Sequence, residues 1–165
     1  VVSLLHGHWQ WQPNQQHTNI DMPDVSSTQQ QAQKIIAPHD WGREPTFLNC
    51  RAWQNFHPPL PHEKILVLGS GEFSWIPFLI AEKLEQQGAE VDYSSTTRSP
   101  IKQGHAVESI CSFKDNYGLN INNYAYNVKH QQFDRVLLVI ETAQDSVDPL
   151  LFEQIKNLEI ISYES

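Results

Sequence analysis

Cysteines, basic side chains and long apolar runs are all scarce in this sequence. Its two cysteines, Cys50 and Cys111, lie far apart and form no CxxC pair. They therefore indicate neither a disulfide framework nor a zinc knuckle, and we expect reduced thiols. Only 11 Lys and Arg stand against 19 Asp and Glu, for a formal net charge of -8. This balance argues against sequence-independent binding of nucleic acid, which depends on many cationic contacts with phosphate.

Other signals are missing as well. No apolar run approaches the roughly 20 residues that span a bilayer, and the first residues lack the cationic flank of a signal peptide. We therefore expect a soluble, cytoplasmic protein with no membrane partner. Because the chain opens on Val1 rather than on Met, we expect it to be part of a longer polypeptide. The sequence also contains no phosphate-binding GxxxxGK[ST] motif and no nucleophile elbow.

The amino-terminal residues 1–60 predict an irregular arm packed on the domain, rich in tryptophan and ending in prolines. Residues 6–11 alternate as a strand would, which places His6 and His8 on one face. Two histidines do not make a metal site, so packing or surface roles are favoured over metal binding. Residues 26–36 fit a short helix or a solvated Gln-rich linker, and both interpretations stay open.

Residues 61–165 predict an α/β core, because short apolar runs alternate with amphipathic segments. A run without polar alternation is typical of a parallel strand covered on both faces. The order is β-α-β-insertion-β-α-β, which predicts a Rossmann-like, open, mainly parallel sheet of about four strands with flanking helices. The predicted strands are 65–68, 91–95, 135–140 and 160–161, the helices are 74–87 and about 149–158, and the inserted loop is 102–132.

The first candidate loop follows the first strand, and in open parallel sheets ligands bind beyond the carboxyl ends of the strands. It comprises Gly69, Ser70, Gly71 and Glu72. Glycines could expose backbone amides to an anion, but the carboxylate of Glu72 would repel phosphate. Glu72 therefore fits a hydroxyl acceptor or a ligand to Mg²⁺ that itself holds phosphate. The alternative is an ordinary acidic residue at a helix start.

Two further loops carry charged groups. Thr96, Thr97, Arg98 and Ser99 follow the second strand and suit a phosphate or carboxylate, although an ordinary polar turn has the same composition. Glu141 follows the third strand. Glu72 and Glu141 are the candidate general bases, and together they could hold a metal unless the fold keeps them apart.

The insertion is unusually rich in amide and phenol groups. A tyrosine ring could stack on a planar base while an amide reads its edge, although Asn and Gly are also default turn residues. In the amino-terminal arm, Arg43 could reach an anion, unless it belongs to a surface loop anchored by Trp41. The candidates in the insertion are Asp115, Tyr117, Gly118, Tyr124 and Asn127.

Several of these motifs together resemble the TRSP domain family, named for a Thr-Arg-Ser-Pro sequence that stands here at residues 97–100. The resemblance extends over residues 7–9, 40–43, 67–73, 77–79, 95–101, 115–118 and 126–127. It implies a domain carboxyl-terminal to a phosphoribosyltransferase-like domain, in the same polypeptide or operon, in bacterial gene clusters linked to tellurium resistance and stress response.

The resemblance implies a function as a ligand-binding or catalytic domain for a phosphorylated ribosyl or nucleotide-like metabolite. A non-catalytic sensing or interaction module of the transferase is the alternative. The first role needs an acid–base group with a suitable pKa, whereas the second needs only the pocket. A purely structural role ranks last, because it leaves the Arg98 loop and the acidic strand ends without a purpose.

Overall fold

The computed structural model describes residues 7–10, 12, 56–128 and 133–163. The predictions made for His6, Arg43 and residues 26–36 lie outside these ranges. Within them, β1 is Lys64–Gly69, α1 is Trp75–Gln86, β2 is Glu90–Ser95, β3 is Ile110–Lys114, β4 is Asn122–Tyr126, β5 is Arg135–Ile140, α2 is Pro149–Gln154 and β6 is Leu158–Ser162.

Four of the strands form one parallel sheet in the order β2-β1-β5-β6. Successive side chains of β1 point to opposite faces, and both faces are covered. Ile65 and Val67 are buried in one apolar layer, whereas Leu66 and Leu68 are buried in the other. Burial on both sides explains the unbroken apolar run of this strand. The prediction of an α/β domain with a mainly parallel sheet of four strands is confirmed.

Helix α1 covers one face of the sheet. It buries Ile76, Ile80 and Leu84 against β1 and β5, at the helical spacing of four residues. Pro77 lies in the first turn, where its missing N–H removes no intrahelical hydrogen bond. The predicted helix at 74–87 is therefore confirmed to within one residue at each end.

The opposite face is covered by α2 and by a hairpin within the insertion. Strands β3 and β4 pair antiparallel, and Cys111, Phe113 and Ala125 pack on the same apolar layer as Leu151. Residues 102–132 are thus not a bare loop. Two short strands lie within this polar stretch, where Ser112, Lys114, Asn122 and Asn123 interrupt the apolar pattern.

The last helix is shorter than predicted. It ends at Gln154 rather than near Leu158, since Ile155 already has an extended backbone. The closing strand accordingly begins at Leu158 instead of at Ile160. Asp148 is the N-cap of α2, as predicted, and accepts a hydrogen bond from the Leu150 amide.

In the described ranges, no helix has the length and apolar character needed to cross a membrane.

The strand order creates a switch point between β1 and β5. The chain leaves β1 toward β2 on one side, and it leaves β5 toward β6 on the other. The loops after these two central strands therefore diverge to opposite faces and leave a crevice at the carboxyl edge of the sheet. This edge carries the candidate site.

Candidate functional site

A cavity of about 530 Å³ opens at this carboxyl edge. Its size lies within the range of small-molecule sites, which is roughly 300–1,000 Å³. The loops after β1, β2 and β5 contribute to its wall, and so do the turn before β4 and β4 itself. It is lined by Gly71, Glu72, Ser95, Thr96, Thr97, Arg98, Ser99, Tyr117, Asn123 and Glu141.

The loop after β1 needs its two glycines for different reasons. At Gly69, a side-chain Cβ would lie 2.6 Å from the carbonyl oxygen of Phe73, so the turn can close this tightly only without one. Gly71 has a left-handed backbone with φ of 59°. Its amide donates to Thr96 Oγ1 at 2.9 Å. Because this amide is already bonded, it is not free to bind an anion.

Glu72 lines the cavity and lies ahead of α1. The helix begins at Trp75 with Ser74 as its N-cap, and its first turn contains no acidic residue. The interpretation of Glu72 as a first-turn helix charge is therefore wrong. The tight turn at residues 69–73 delays the helix start, and this leaves the carboxylate at the edge of the crevice.

The loop after β2 is held by the hairpin. Thr97 and Tyr124 exchange both backbone hydrogen bonds, at 3.0 and 2.8 Å. The Tyr126 hydroxyl donates to the Ser99 carbonyl and accepts from the Ile101 amide, both at 2.7 Å. These bonds tie the loop to β4 at two points, so the backbone that carries Arg98 is positioned before any ligand arrives.

Arg98 is exposed at the cavity, and within the described ranges it forms no ion pair. Arg135, by contrast, forms an ion pair: at the amino end of β5 its guanidinium lies 3.0 Å from the Glu63 carboxylate. Thr97 Oγ1 accepts from the Ser99 amide at 3.1 Å and keeps a hydroxyl hydrogen to donate. A guanidinium beside hydroxyl donors can bind phosphate or carboxylate.

A chain of buried hydrogen bonds lies beneath the cavity. Ser70 Oγ donates to Asn116 Oδ1 at 2.6 Å, and Asn116 Nδ2 donates to Thr142 Oγ1 at 2.7 Å. Thr142 Oγ1 also lies 2.8 Å from Ser146 Oγ. The chain joins the loops after β1 and β5 through the turn of the insertion, so it sets the relative position of three cavity walls.

Tyr117 connects two walls of the cavity. Its hydroxyl lies 3.0 Å from Glu141 Oε1 and 3.1 Å from the Ser70 carbonyl oxygen, so one hydrogen is shared between two acceptors. Burial of the ring raises the pKa of Tyr117 far above its ordinary value, and the Glu141 charge raises it further. The phenol therefore stays protonated and donates toward Glu141 at physiological pH.

The structure gathers most of the candidate residues around the cavity. Gly71, Glu72, Thr96, Thr97, Arg98, Ser99, Tyr117 and Glu141 line it. Gly69 and Ser70 support it from below. Glu72 and Glu141 share this cavity, but the described residues contain no group of three His, Cys, Asp or Glu side chains that could hold a metal ion.

Four other candidates do not line the cavity. Asp115 is buried and accepts from the amides of three residues of its own turn. Asn127 Oδ1 accepts from the Glu108 amide, and Gly118 lies in the exposed turn with a positive φ. Tyr124 is only 1% exposed. These residues build the insertion, and the structure does not bring them to the cavity wall.

Sequence reasoning overlooked two lining residues and the residue that joins the loops. Ser95 is the last residue of β2, and Asn123 lies within β4. Asn116 stands between two predicted site residues, Asp115 and Tyr117. The sequence feature that could have identified Asn116 is a side-chain amide next to a turn held by Asp115. Its contacts with Ser70 and Thr142 depend on the packing of the hairpin.

Comparison with known proteins identifies the family. The family model described as "TRSP domain C terminus to PRTase_2" matches residues 49–155. The chain belongs to the TRSP domain family. This confirms the resemblance that the Thr-Arg-Ser-Pro sequence suggested, and the matched residues include every cavity-lining side chain of this TRSP domain. The family description places such a domain carboxyl-terminal to a PRTase_2 domain. No curated protein and no solved structure matches the chain.

Proposed function

We propose that this TRSP domain binds a phosphorylated ribosyl or nucleotide-like metabolite and works with a phosphoribosyltransferase domain. The observation that carries the proposal is the exposed guanidinium of Arg98 in the switch-point cavity, beside hydroxyl groups and without a carboxylate partner in the described ranges. A phosphate there receives two parallel hydrogen bonds from the guanidinium and further ones from Thr97 and Ser99.

The surrounding fold supports the same proposal. Strand order β2-β1-β5-β6 has its switch point at this cavity, which is why we propose to class the sheet as Rossmann-like. The carboxylates of Glu72 and Glu141 repel a second phosphate but accept hydroxyl groups. A ligand with one anionic end and one hydroxyl-bearing end matches this charge distribution. Mg²⁺ could join such a ligand, because it is commonly held by one or two carboxylates together with substrate phosphate.

The biological setting that we propose follows from the family resemblance. A bacterial, cytoplasmic pathway linked to tellurium resistance supplies a transferase product that this domain binds or converts. Within that setting the enzyme role requires Glu72 or Glu141 as the general base. The sensing role needs only the pocket and no acid–base group.

The test is a calorimetric titration of the 165-residue chain with ribose 5-phosphate, a nucleoside monophosphate and inorganic phosphate, each with and without Mg²⁺. We expect Arg98→Ala to weaken binding of all three by about tenfold or more, since a hydrogen bond to a charged group contributes about 1.5–3 kcal/mol. Arg98→Lys should recover only part of the affinity, because lysine makes no bidentate contact.

Lys102→Ala is the matched control, because Lys102 is an exposed cation near the loop but does not line the cavity. It should change the affinities by less than about twofold. Unchanged binding in Arg98→Ala would refute the proposal. Phosphorus NMR of the same mixtures, repeated with the transferase domain attached, separates the two roles: new phosphorus signals identify an enzyme, and binding without them identifies a sensing module.

A further inference from the structure

The cavity contains two carboxylates, and the structure holds them differently. Glu72 is exposed, and no hydrogen bond of its side chain is found within the described ranges. Glu141 is half-buried, and its Oε1 lies 3.0 Å from the Tyr117 hydroxyl. A side chain that is already held loses less conformational entropy when it binds a ligand. Glu141 is therefore the better-prepared acceptor of the two.

The backbone of Glu141 is held as well. It follows directly on Ile140, whose carbonyl oxygen accepts from the Tyr163 amide at 2.8 Å. It precedes Thr142, which is fully buried and bonded to both Asn116 and Ser146. The carboxylate thus projects from a rigid strand end, as a preorganised binding group should.

Tyr117 uses only one oxygen of this carboxylate. The phenol donates to Oε1, and an ionised carboxylate has several further lone-pair sites, which can accept and cannot donate. Arg98, Tyr117 and Glu141 line the same cavity, so the cavity has both a cationic and an anionic part. A ligand phosphate on Arg98 would have its neutral, hydroxyl-bearing part directed toward Glu141.

We infer that Glu141, oriented by Tyr117, accepts the sugar hydroxyls of the ligand and makes the site selective for ribosyl over deoxyribosyl phosphates. This inference rests on the proposed function, since it needs the phosphate to lie on Arg98. Glu141 is the specificity-determining residue, and Tyr117 is a positioning residue that acts through it.

The experiment compares three ligands on the 165-residue chain by calorimetry: ribose 5-phosphate, 2-deoxyribose 5-phosphate and inorganic phosphate. We expect the chain to prefer the ribose compound by about tenfold, the value of one hydrogen bond to a charged acceptor. Glu141→Gln should reduce this preference to about twofold or less while it leaves binding of inorganic phosphate intact or tighter.

Tyr117→Phe tests whether Tyr117 positions the Glu141 carboxylate or only stabilises the fold. It should lower the preference between the two sugar phosphates and leave the affinity for inorganic phosphate within about twofold, because Glu141 loses its orienting phenol whereas Arg98, Thr97 and Ser99 are unchanged. A general loosening of the domain would weaken all three ligands together. Glu82→Gln is the matched control, because it makes the same chemical change at an exposed position of α1 that does not line the cavity, and it should keep the full preference.

The results distinguish this inference from the function on which it rests. If both sugar phosphates bind equally and both depend on Arg98, the proposed function stands and the role of Glu141 is refuted. Loss of the preference in Glu72→Gln but not in Glu141→Gln also overturns the assignment. If none of the three ligands binds, the proposed function and this inference fall together.

Discussion

Replacing Asn116 by alanine removes the side chain that joins the loops after β1 and β5. Its amide oxygen accepts from Ser70 at 2.6 Å, and its amide nitrogen donates to Thr142 at 2.7 Å. Asn116 is 7% exposed and Ser70 is 3% exposed. Water therefore has little access to the groups that the substitution leaves without a partner. Their lost hydrogen bonds should lower the free energy of unfolding.

The magnitude follows from these contacts. Two net hydrogen bonds contribute about 1 kcal/mol each, and a buried group left unsatisfied costs about 1–3 kcal/mol. Thr142 keeps its contact with Ser146, so the full penalty applies mainly to the Ser70 hydroxyl. We expect Asn116→Ala to lower the free energy of unfolding by about 2–4 kcal/mol, a large share of the roughly 5–15 kcal/mol of an ordinary domain.

Urea unfolding followed by tryptophan fluorescence and circular dichroism measures this loss. The midpoint should fall while the slope with urea stays constant, since the surface exposed on unfolding is unchanged. Gln86→Ala, on the exposed side of α1, is the control and should change stability by less than about 0.5 kcal/mol.

A double-mutant cycle makes the test stricter. Ser70→Ala should cost less in the Asn116→Ala background than in the original chain, because the Ser70 hydroxyl has already lost its acceptor there. An Asn116→Ala loss no larger than that of the control, or a Ser70→Ala cost that is the same in both backgrounds, would refute the reasoning.

Three further predictions concern single residues around the sheet. Gly69→Ala should lower the free energy of unfolding by about 1–3 kcal/mol, as overpacking does, because its Cβ would meet the Phe73 carbonyl oxygen at 2.6 Å. Asp148→Ala should lower it by about 1–2 kcal/mol, since the carboxylate caps α2 and also accepts from the Lys114 amide at 2.6 Å. Tyr117→Phe should reduce the loss of stability at alkaline pH, which urea unfolding from about pH 9 to 11 measures.

The sign of the pH effect follows from the raised pKa of Tyr117 in the folded protein. The contribution of protonated Tyr117 to the free energy of unfolding is fully present below the pKa of an unfolded tyrosine, about 10. It is lost as pH rises above that value, by up to about 1.4 kcal/mol per pH unit, because the unfolded chain releases the proton first. A pH slope identical in Tyr117→Phe and the original chain would contradict this account.

The two stability predictions have their own checks. Asp145→Ala replaces an exposed aspartate of the neighbouring 3-10 turn and should leave stability nearly unchanged. Equal effects of the Asp145 and Asp148 substitutions would argue against capping. A Gly69→Ala protein as stable as the original would show that the turn at residues 69–73 can open without cost.

Much of the fold could be predicted because its signals are local. The unbroken apolar runs of β1 and β5 follow from burial on both sheet faces, and the residues that bound α1 follow from its apolar spacing and from Gly88 beyond its end. The hairpin was not predicted, since β3 and β4 are short and polar residues interrupt their apolar side chains.

The sequence by itself determined that the loops after β1, β2 and β5 lie at one edge of the sheet, because parallel strands all end at the same edge. Only the tertiary structure decided which side chains face the cavity. Ser70 and Asn116 are 46 positions apart, and Tyr117 meets Glu141 across 24. Such pairs depend on strand order and on the packing of the hairpin. That is why Glu141 has a phenol partner, whereas Tyr124, equally prominent in the sequence, is buried.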